Sequence, residues 1–351
     1  MRTFAYPISG RTADVWQRSH SERAFFWGKS FFPKRDLADR TEDVELRPAG
    51  ERAPKPLSRE DFPLVVLTHN DMRFMPAFFA HYRAMGVTRF ICVDDASDDG
   101  TRDCLLVEPD VDLFESNVRY ADAARGKIWR ERLLARYGLD RWYLIVDSDE
   151  FFVYETIGRE PIAAYVRRLE RGGVNRVPAP MLDLYPKGDL AAAAFTGRDG
   201  RMPWEVATHF DGGGYEAIVA ANAISVHGGV RLRKLGARSQ LMKYPLMRWD
   251  RYCSLARTIH RPRPALYNFP PVMAALLHFK IFSDLRERTQ RAVHDGQHFD
   301  GAAVYRAVLD RLDTETVTHF DYEGSIAYGG VDDLLARGFM IPLPTGRSSN
   351  A

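Results

Sequence analysis

The chain is poor in cysteine, has no long apolar run and carries almost no net charge, and each shortage closes off a class of protein. Cys92, Cys104 and Cys253 are its three cysteines in 351 residues. An odd number of thiols, set within or beside apolar runs, fits buried cysteines in a reducing compartment and excludes a disulfide scaffold. No uninterrupted apolar stretch approaches the roughly 20 residues that span a bilayer, and Met1–His20 lacks the apolar centre of a secretory signal. The cytoplasm is the expected location, with peripheral attachment at the inner face of the membrane as the variant of that expectation. The 49 Lys and Arg against 47 Asp and Glu leave a net +2, too little to make the whole surface a trap for nucleic acid. No nucleic-acid partner is expected, and any cationic site has to be local.

A hydrophobic content of 45% with 27% charged residues supports a packed core rather than a disordered chain. The length fits two domains or one large one. Residues 1–60 show no sustained periodicity, gather Phe25, Phe26, Trp27, Phe31 and Phe32, and end in the Pro- and charge-rich stretch from Arg47 to Pro56. They read as an N-terminal extension and linker whose aromatics dock on the main body. The remainder divides into a regularly patterned half (61–190), a less regular C-terminal half (191–340) and a tail (341–351).

From Asp61 strand patterns alternate with helix patterns. Leu64–Thr68, Phe90–Asp94, Asp112–Glu115, Trp142–Asp147 and Val174–Pro180 read as strands, and Met75–Met85, Ala121–Tyr137 and Pro161–Arg171 as helices. Apolar strands separated by helices indicate βαβ units, hence an α/β fold with a parallel sheet covered on both faces. Later signals are weaker: short strands around Ala217–Val226, an alternating segment Leu276–Ile281 that places His278 and Lys280 on one face, and helices Leu285–His294 and Val304–Leu312.

Ligands in an open parallel sheet bind beyond the carboxyl ends of its strands. Three predicted strand ends carry polar clusters: Thr68-His69-Asn70-Asp71, Asp94-Asp95-Ala96-Ser97-Asp98-Asp99-Gly100 and Asp147-Ser148-Asp149-Glu150. The last puts two carboxylates on a turn between apolar strands, where a hard divalent cation would offset the cost of their burial. Asp95 to Gly100 begins like an EF-hand loop, but Leu106 stands at the twelfth place, where that loop needs a bidentate Glu.

These segments, in this order and spacing, resemble the nucleotide-sugar-binding half of family-2-like GT-A glycosyltransferases over about Phe62–Tyr185, and more loosely over Leu266–Arg288. The resemblance implies a Rossmann-like nucleotide-binding sheet with helices on both faces and a mixed acceptor-side region. It implies transfer of a sugar, with inversion, from a nucleoside diphosphate sugar to a glycan, lipid-linked or protein acceptor. It further implies that Thr68, Asn70, Asp94 and Asp95 hold the nucleoside, that Asp147 lies near ribose and metal, and that Asp149 is the principal ligand of Mn²⁺ or Mg²⁺. His278 is a candidate third metal ligand and Lys280 a candidate for the donor diphosphate, while Lys127, with Arg125, either faces the donor or lies on a solvated helix face.

An inverting transfer needs a carboxylate to take the acceptor proton; Asp183, Glu205 and Asp211 are the candidates, with Asp183 preferred because it leaves a strand bordering the donor site. His227-Gly228-Gly229 with Arg231, Arg233 and Lys234 opens a basic stretch that reads either as a clamp for an anionic group or as solvated surface. Two competing functions share the fold: nucleotidyl transfer onto a sugar phosphate, which wants a Gly-rich phosphate loop that Thr68–Phe74 lacks, and a non-catalytic glycan or nucleotide-sugar binder.

Overall fold

The computed structural model describes residues 2–8, 43–255, 259–297, 299–314 and 317–344, with isolated positions between 21 and 28. Phe26, Trp27, Phe31, Phe32 and the tail from 345 lie outside the described residues. Two strands precede the first expected one: β1 (Arg2–Tyr6) and β2 (Leu46–Pro48). The βαβ series follows as β3 (Pro63–Thr68), α1 (Met75–Met85), β4 (Arg89–Asp94), α2 (Thr101–Val107), β5 (Val111–Ser116), α3 (Lys127–Tyr137) and β6 (Arg141–Asp147). Next come β7 (Glu150–Val153), α4 (Ile162–Arg171), β8 (Arg176–Asp183), β9 (His209–Asp211), β10 (Tyr215–Val219), β11 (Ile224–Gly228) and α5 (Gly229–Leu235). The chain closes with β12 (Met242–Trp249), β13 (Ala275–His278), α6 (Leu285–Asp295), α7 (Phe299–Thr314), β14 (Ser325–Ala327) and α8 (Val331–Ala336).

Local chemistry explains the strongest elements. In α1 the buried residues Met75, Phe78, Phe79, Tyr82 and Met85 recur at helical spacing, Pro76 opens the first turn, and Gly86 ends the helix at φ 103° with its N–H on the Arg83 carbonyl. β3 is buried at every position, as a central parallel strand must be.

The main sheet runs β2-β5-β4-β3-β6-β12-β8-β13-β7. Strands β5, β4, β3 and β6 pair in parallel, as the alternation predicts. Beyond β6 the sheet is mixed: β12 lies antiparallel between β6 and β8, and β13 runs parallel to β8 and antiparallel to β7. The result is one large mixed sheet with a parallel centre. The basic stretch supplies its inner strand β12 through Met242, Tyr244, Leu246 and Met247, all buried. Pro245 cannot donate to a ladder, and the register slips between Lys243 and Leu246 to accommodate it. Two segments of residues 1–60 are built into the body: β1 pairs with β10, and β2 extends the sheet at β5; Phe25, among the aromatics expected to dock, is exposed.

Helix α3 starts six residues later than expected, at Lys127 rather than Ala121. Ala124, Arg125 and Gly126 all have positive φ (50°, 57° and 69°), which a right-handed helix excludes. At Gly126 a Cβ would lie 2.1 Å from Leu67 Cδ1, so only glycine lets the start of α3 come against the end of β3.

His81 provides a pH test of this packing. Its ring touches Tyr82, Phe151 and Trp204, its Nε2 lies 2.9 Å from the Phe152 carbonyl, and burial lowers its pKa to about 4. Below pH 6.5 the unfolded chain takes up a proton that the folded chain refuses, so stability is full above that pH and drains as pH falls toward 4. The loss from this group is up to about 3 kcal/mol. Denaturant titrations from pH 7 to pH 4 are expected to show the decline, and His81→Asn to flatten it.

Candidate active site

The strand order places a switch in winding between β3 and β6, since the chain moves from β3 out to β5 and returns to the other side of β3 for β6. Ligand crevices form at such points. Pairing sets Thr68 opposite Asp94 and Leu67 opposite Asp147, so the three polar strand ends converge there.

The first two loops are knitted to each other by side chains. The backbone N–H groups of His69, Asn70, Asp71 and Met72 donate in turn to Asp71 Oδ2 (3.0 Å), Ser97 Oγ (2.9 Å), Thr101 Oγ1 (2.9 Å) and Asp99 Oδ2 (3.0 Å). Asp94 accepts from Thr68 Oγ1 at 3.2 Å and from Ser97 N and Oγ at 3.0 and 2.5 Å. Thr68 and Asp95 line a cavity of about 310 Å³ together with Tyr120, Asp147, Asp149 and Lys280. Asn70 lines an adjoining cavity of about 450 Å³ with Asp98, Arg119 and Arg288. Asp94 lines neither of these two; its carboxylate braces the loop. Asp95 is held by Arg119 Nε at 2.8 Å.

The Asp147-Ser148-Asp149-Glu150 turn carries the densest charge. Asp147 Oδ1 accepts from Arg130 at 2.6 Å and its Oδ2 from Lys243 Nζ at 2.5 Å. Against the upward push of burial, these two cations hold its carboxyl well below the usual range. Lys243 also pairs with Glu150, whose Oε2 accepts from Asp147 N at 3.1 Å; burial nonetheless raises Glu150. Asp149 Oδ2 lies 3.6 Å from His278 Nε2 and 3.9 Å from Lys280 Nζ. His278 Nδ1 is bound to the Asp183 carboxylate. Burial raises Asp71, on the wall of the same cavity, to about 7 against a hydrogen bond from Ser148, and the Asp149 charge adds to the rise.

Asp149, Glu150 and His278 each offer a ligand atom within 4.8 Å of the other two. The donor set fits a divalent cation. It has two carboxylates and an imidazole, and the carboxylate on Nδ1 turns the Nε2 lone pair toward Asp149, an arrangement that orients metal-binding histidines. Asp147, expected in this group, stands outside it, with Arg130 on one oxygen and Lys243 on the other; Lys243 also holds Glu150 inside the group. Asp183→Asn is expected to lower divalent-metal affinity about 10–100-fold through loss of that orientation, read by Mn²⁺ titration.

All three candidate bases have other partners. Asp183 is buried between His278 and Arg231 (Nε to Oδ2, 2.7 Å), and despite burial Arg231 and His278 lower it to about 2; its carboxylate holds His278 Nδ1. Glu205 is exposed and caps its own turn through Met202 N at 2.6 Å. Asp211 accepts from Tyr185 Oη at 2.7 Å and from two nitrogens of Arg233 at 2.9 and 2.8 Å.

Lys280 lines both the 310 Å³ cavity and a larger one of about 580 Å³, whereas Lys127 and Arg125 line only the larger. Lys280 lies past the end of β13, and it still faces the same large cavity as His278. Sequence reasoning missed Arg130, Lys243 and Glu150. Glu150 directly follows the D-S-D turn and was readable there; Lys243 is 96 residues from Asp147 and carries no local signal.

The fold and site define an α/β protein with a Rossmann-like parallel centre and a polar, metal-compatible site at its strand ends. No family model and no curated protein matches the chain. Among solved structures it is similar to a 4-diphosphocytidyl-2C-methyl-D-erythritol synthase, at 15% identity over 40% of this chain and 68% of that one, with a TM-score of 0.23. A superposition that loose carries no argument.

Proposed function

We propose that the chain is a metal-dependent glycosyltransferase of GT-A type that takes a nucleoside diphosphate sugar as donor. The observation that carries this reading is the Asp149–Glu150–His278 group at the switch point, beside a cavity walled by Thr68, Asp95, Tyr120 and Asp147. Asp149, Glu150 and His278 would hold the cation. A divalent cation there supplies Lewis-acid stabilisation of the negative charge that grows on the leaving diphosphate. Lys280 adds positive charge at the same place, and Arg130 and Lys243 keep Asp147 ionised. Glycan, lipid-linked and protein acceptors all fit this reading, and inversion rests on the sequence resemblance.

The first loop argues against nucleotidyl transfer. A phosphate cradle needs unspent backbone N–H groups, and those of residues 69 to 72 are all spent on side chains of this chain. Calorimetric titration with a series of nucleoside diphosphates, with and without Mn²⁺, tests the proposal. Binding about tenfold tighter with metal is expected, together with slow release of free sugar from the matching donor. Failure of every nucleotide to bind in the presence of metal would overturn it.

A further inference from the structure

Tyr120 lies between β5 and α3, and the positive φ of Ala124, Arg125 and Gly126 delays the helix so that this residue stays in the loop. Local contacts fix it there. Its backbone N lies 3.4 Å from Asp95 Oδ2, its carbonyl accepts from Gly126 N at 3.3 Å, and its ring packs near Trp129 with centroids 6.3 Å apart. A Cβ at Gly126 would come within 3.0 Å of Tyr120 Cε2, so the glycine that lets α3 approach β3 also makes room for this ring.

The metal-compatible group stands between two cavities, with Asp149 on the wall of the 310 Å³ one and Glu150 and His278 on the wall of the one of about 580 Å³. Tyr120, Asp147, Lys280, Leu285, Thr289 and Tyr305 line both cavities. A phosphate held at that group therefore meets this shared wall. The other polar side chains of the wall are engaged: Asp147 accepts from Arg130 and Lys243, Lys280 Nζ donates to Tyr305 Oη at 3.0 Å, and Thr289 Oγ1 donates to the Leu285 carbonyl at 2.7 Å. Tyr120 Oη has no hydrogen-bond partner among the described residues, and it is not sealed from solvent as Arg130 Nε is. It therefore opens on the cavities.

Burial raises the Tyr120 pKa against the pull of Arg130, so the phenol carries its proton at neutral pH and offers a donor. A half-buried hydroxyl with nothing to bond is unfavourable, and a bound acceptor atom relieves that cost.

Resting on the transferase reading above, we infer that Tyr120 is a catalytic residue whose Oη–H donates a hydrogen bond to the leaving diphosphate of the donor, where negative charge grows. The phenol keeps its own proton and forms no covalent bond. It acts as a fixed donor does in an oxyanion hole.

The test compares the full chain with Tyr120→Phe, which leaves the ring beside Trp129 and removes only the hydroxyl. With Mn²⁺ and the matching nucleoside diphosphate sugar, kcat is expected to fall about 10–100-fold while KM stays within about twofold, the mark of an interaction made in the transition state. Calorimetry is expected to show the product nucleoside diphosphate, whose terminal phosphate carries the developed charge, bound about tenfold more weakly by the variant, and the donor less affected. The urea midpoint is expected to stay where it is, because among the described residues the hydroxyl has no partner to lose. Unchanged kcat, equal loss of donor and product affinity, or a lowered urea midpoint would overturn the inference. A full chain that neither binds nor turns over any nucleoside diphosphate sugar counts against the transferase reading on which the inference rests, whereas an active chain with an equally active variant counts against Tyr120 alone.

Discussion

Asp149→Asn is expected to lower Mn²⁺-dependent turnover of the donor by about 10²–10³-fold or more, the scale seen when a group stabilising developing charge is lost. Among the described residues, Asp149 is the acid of the turn with the least compensation: its nearest basic neighbours are the His278 imidazole at 3.6 Å and the Lys280 ammonium at 3.9 Å, whereas Asp147 has two cations in direct contact. Companion variants discriminate the ligand set. Glu150→Gln is expected to weaken Mn²⁺ binding about 10–100-fold, because Glu150 completes the group with Asp149 and His278. Asp147→Asn leaves that group in place and is expected to affect Mn²⁺ affinity less than either. The opposite order, with Asp147→Asn as severe as Asp149→Asn and Glu150→Gln silent, would restore the set of Asp147, Asp149 and His278 that the family resemblance implies. Titration of Mn²⁺ by calorimetry or paramagnetic relaxation reads all three.

Lys243→Met is expected to have the largest effect on stability. The Lys243 side chain is 6% exposed and bridges Asp147 and Glu150 from an inner strand of the sheet. Methionine matches the length and removes the charge, leaving Glu150 buried without a cation and Asp147 with Arg130 alone. Breaking a buried ion pair from one side costs about 3–5 kcal/mol, a large share of the about 5–15 kcal/mol that holds a domain folded. Urea unfolding should report that loss. Because the acids left behind lie at the metal-compatible group, added Mn²⁺ is expected to recover part of it by linkage. A loss below about 1 kcal/mol would place Lys243 with ordinary surface ion pairs.

The strands from β3 to β6 were legible because each is an apolar run ended by polar residues; no helix was expected over Thr101–Val107, which forms α2, but α1 was legible because its apolar residues repeat at helical period. α1 shows this best: Met75, Phe78, Phe79, Tyr82 and Met85 all point inward. β12 was illegible for a physical reason. Its sequence mixes Lys243, Pro245 and Arg248 with apolar residues, so neither period appears. Only a register slip and a buried ion-pair network make that segment an inner strand. Helix α3 was placed too early because composition does not reveal a positive φ at Ala124 and Arg125.

The same division runs through the site, and it reaches back to the near-zero net charge. The sequence alone determined that acids would collect at three strand ends and that cations would collect between Arg231 and Arg263, since both follow from residue order. Which acid meets which cation was decided by the tertiary structure. Arg130 and Lys243 close on Asp147, Arg231 and His278 take Asp183, and Arg233 takes Asp211. Those pairings turn an expected metal ligand into an ion-pair hub and two candidate bases into anchored structural groups. Asp149, Glu150 and His278 stand together as the metal-compatible set by distance, with Lys243 holding Glu150 as well as Asp147, because ion pairing acts over a few ångströms through space while the sequence records only distance along the chain.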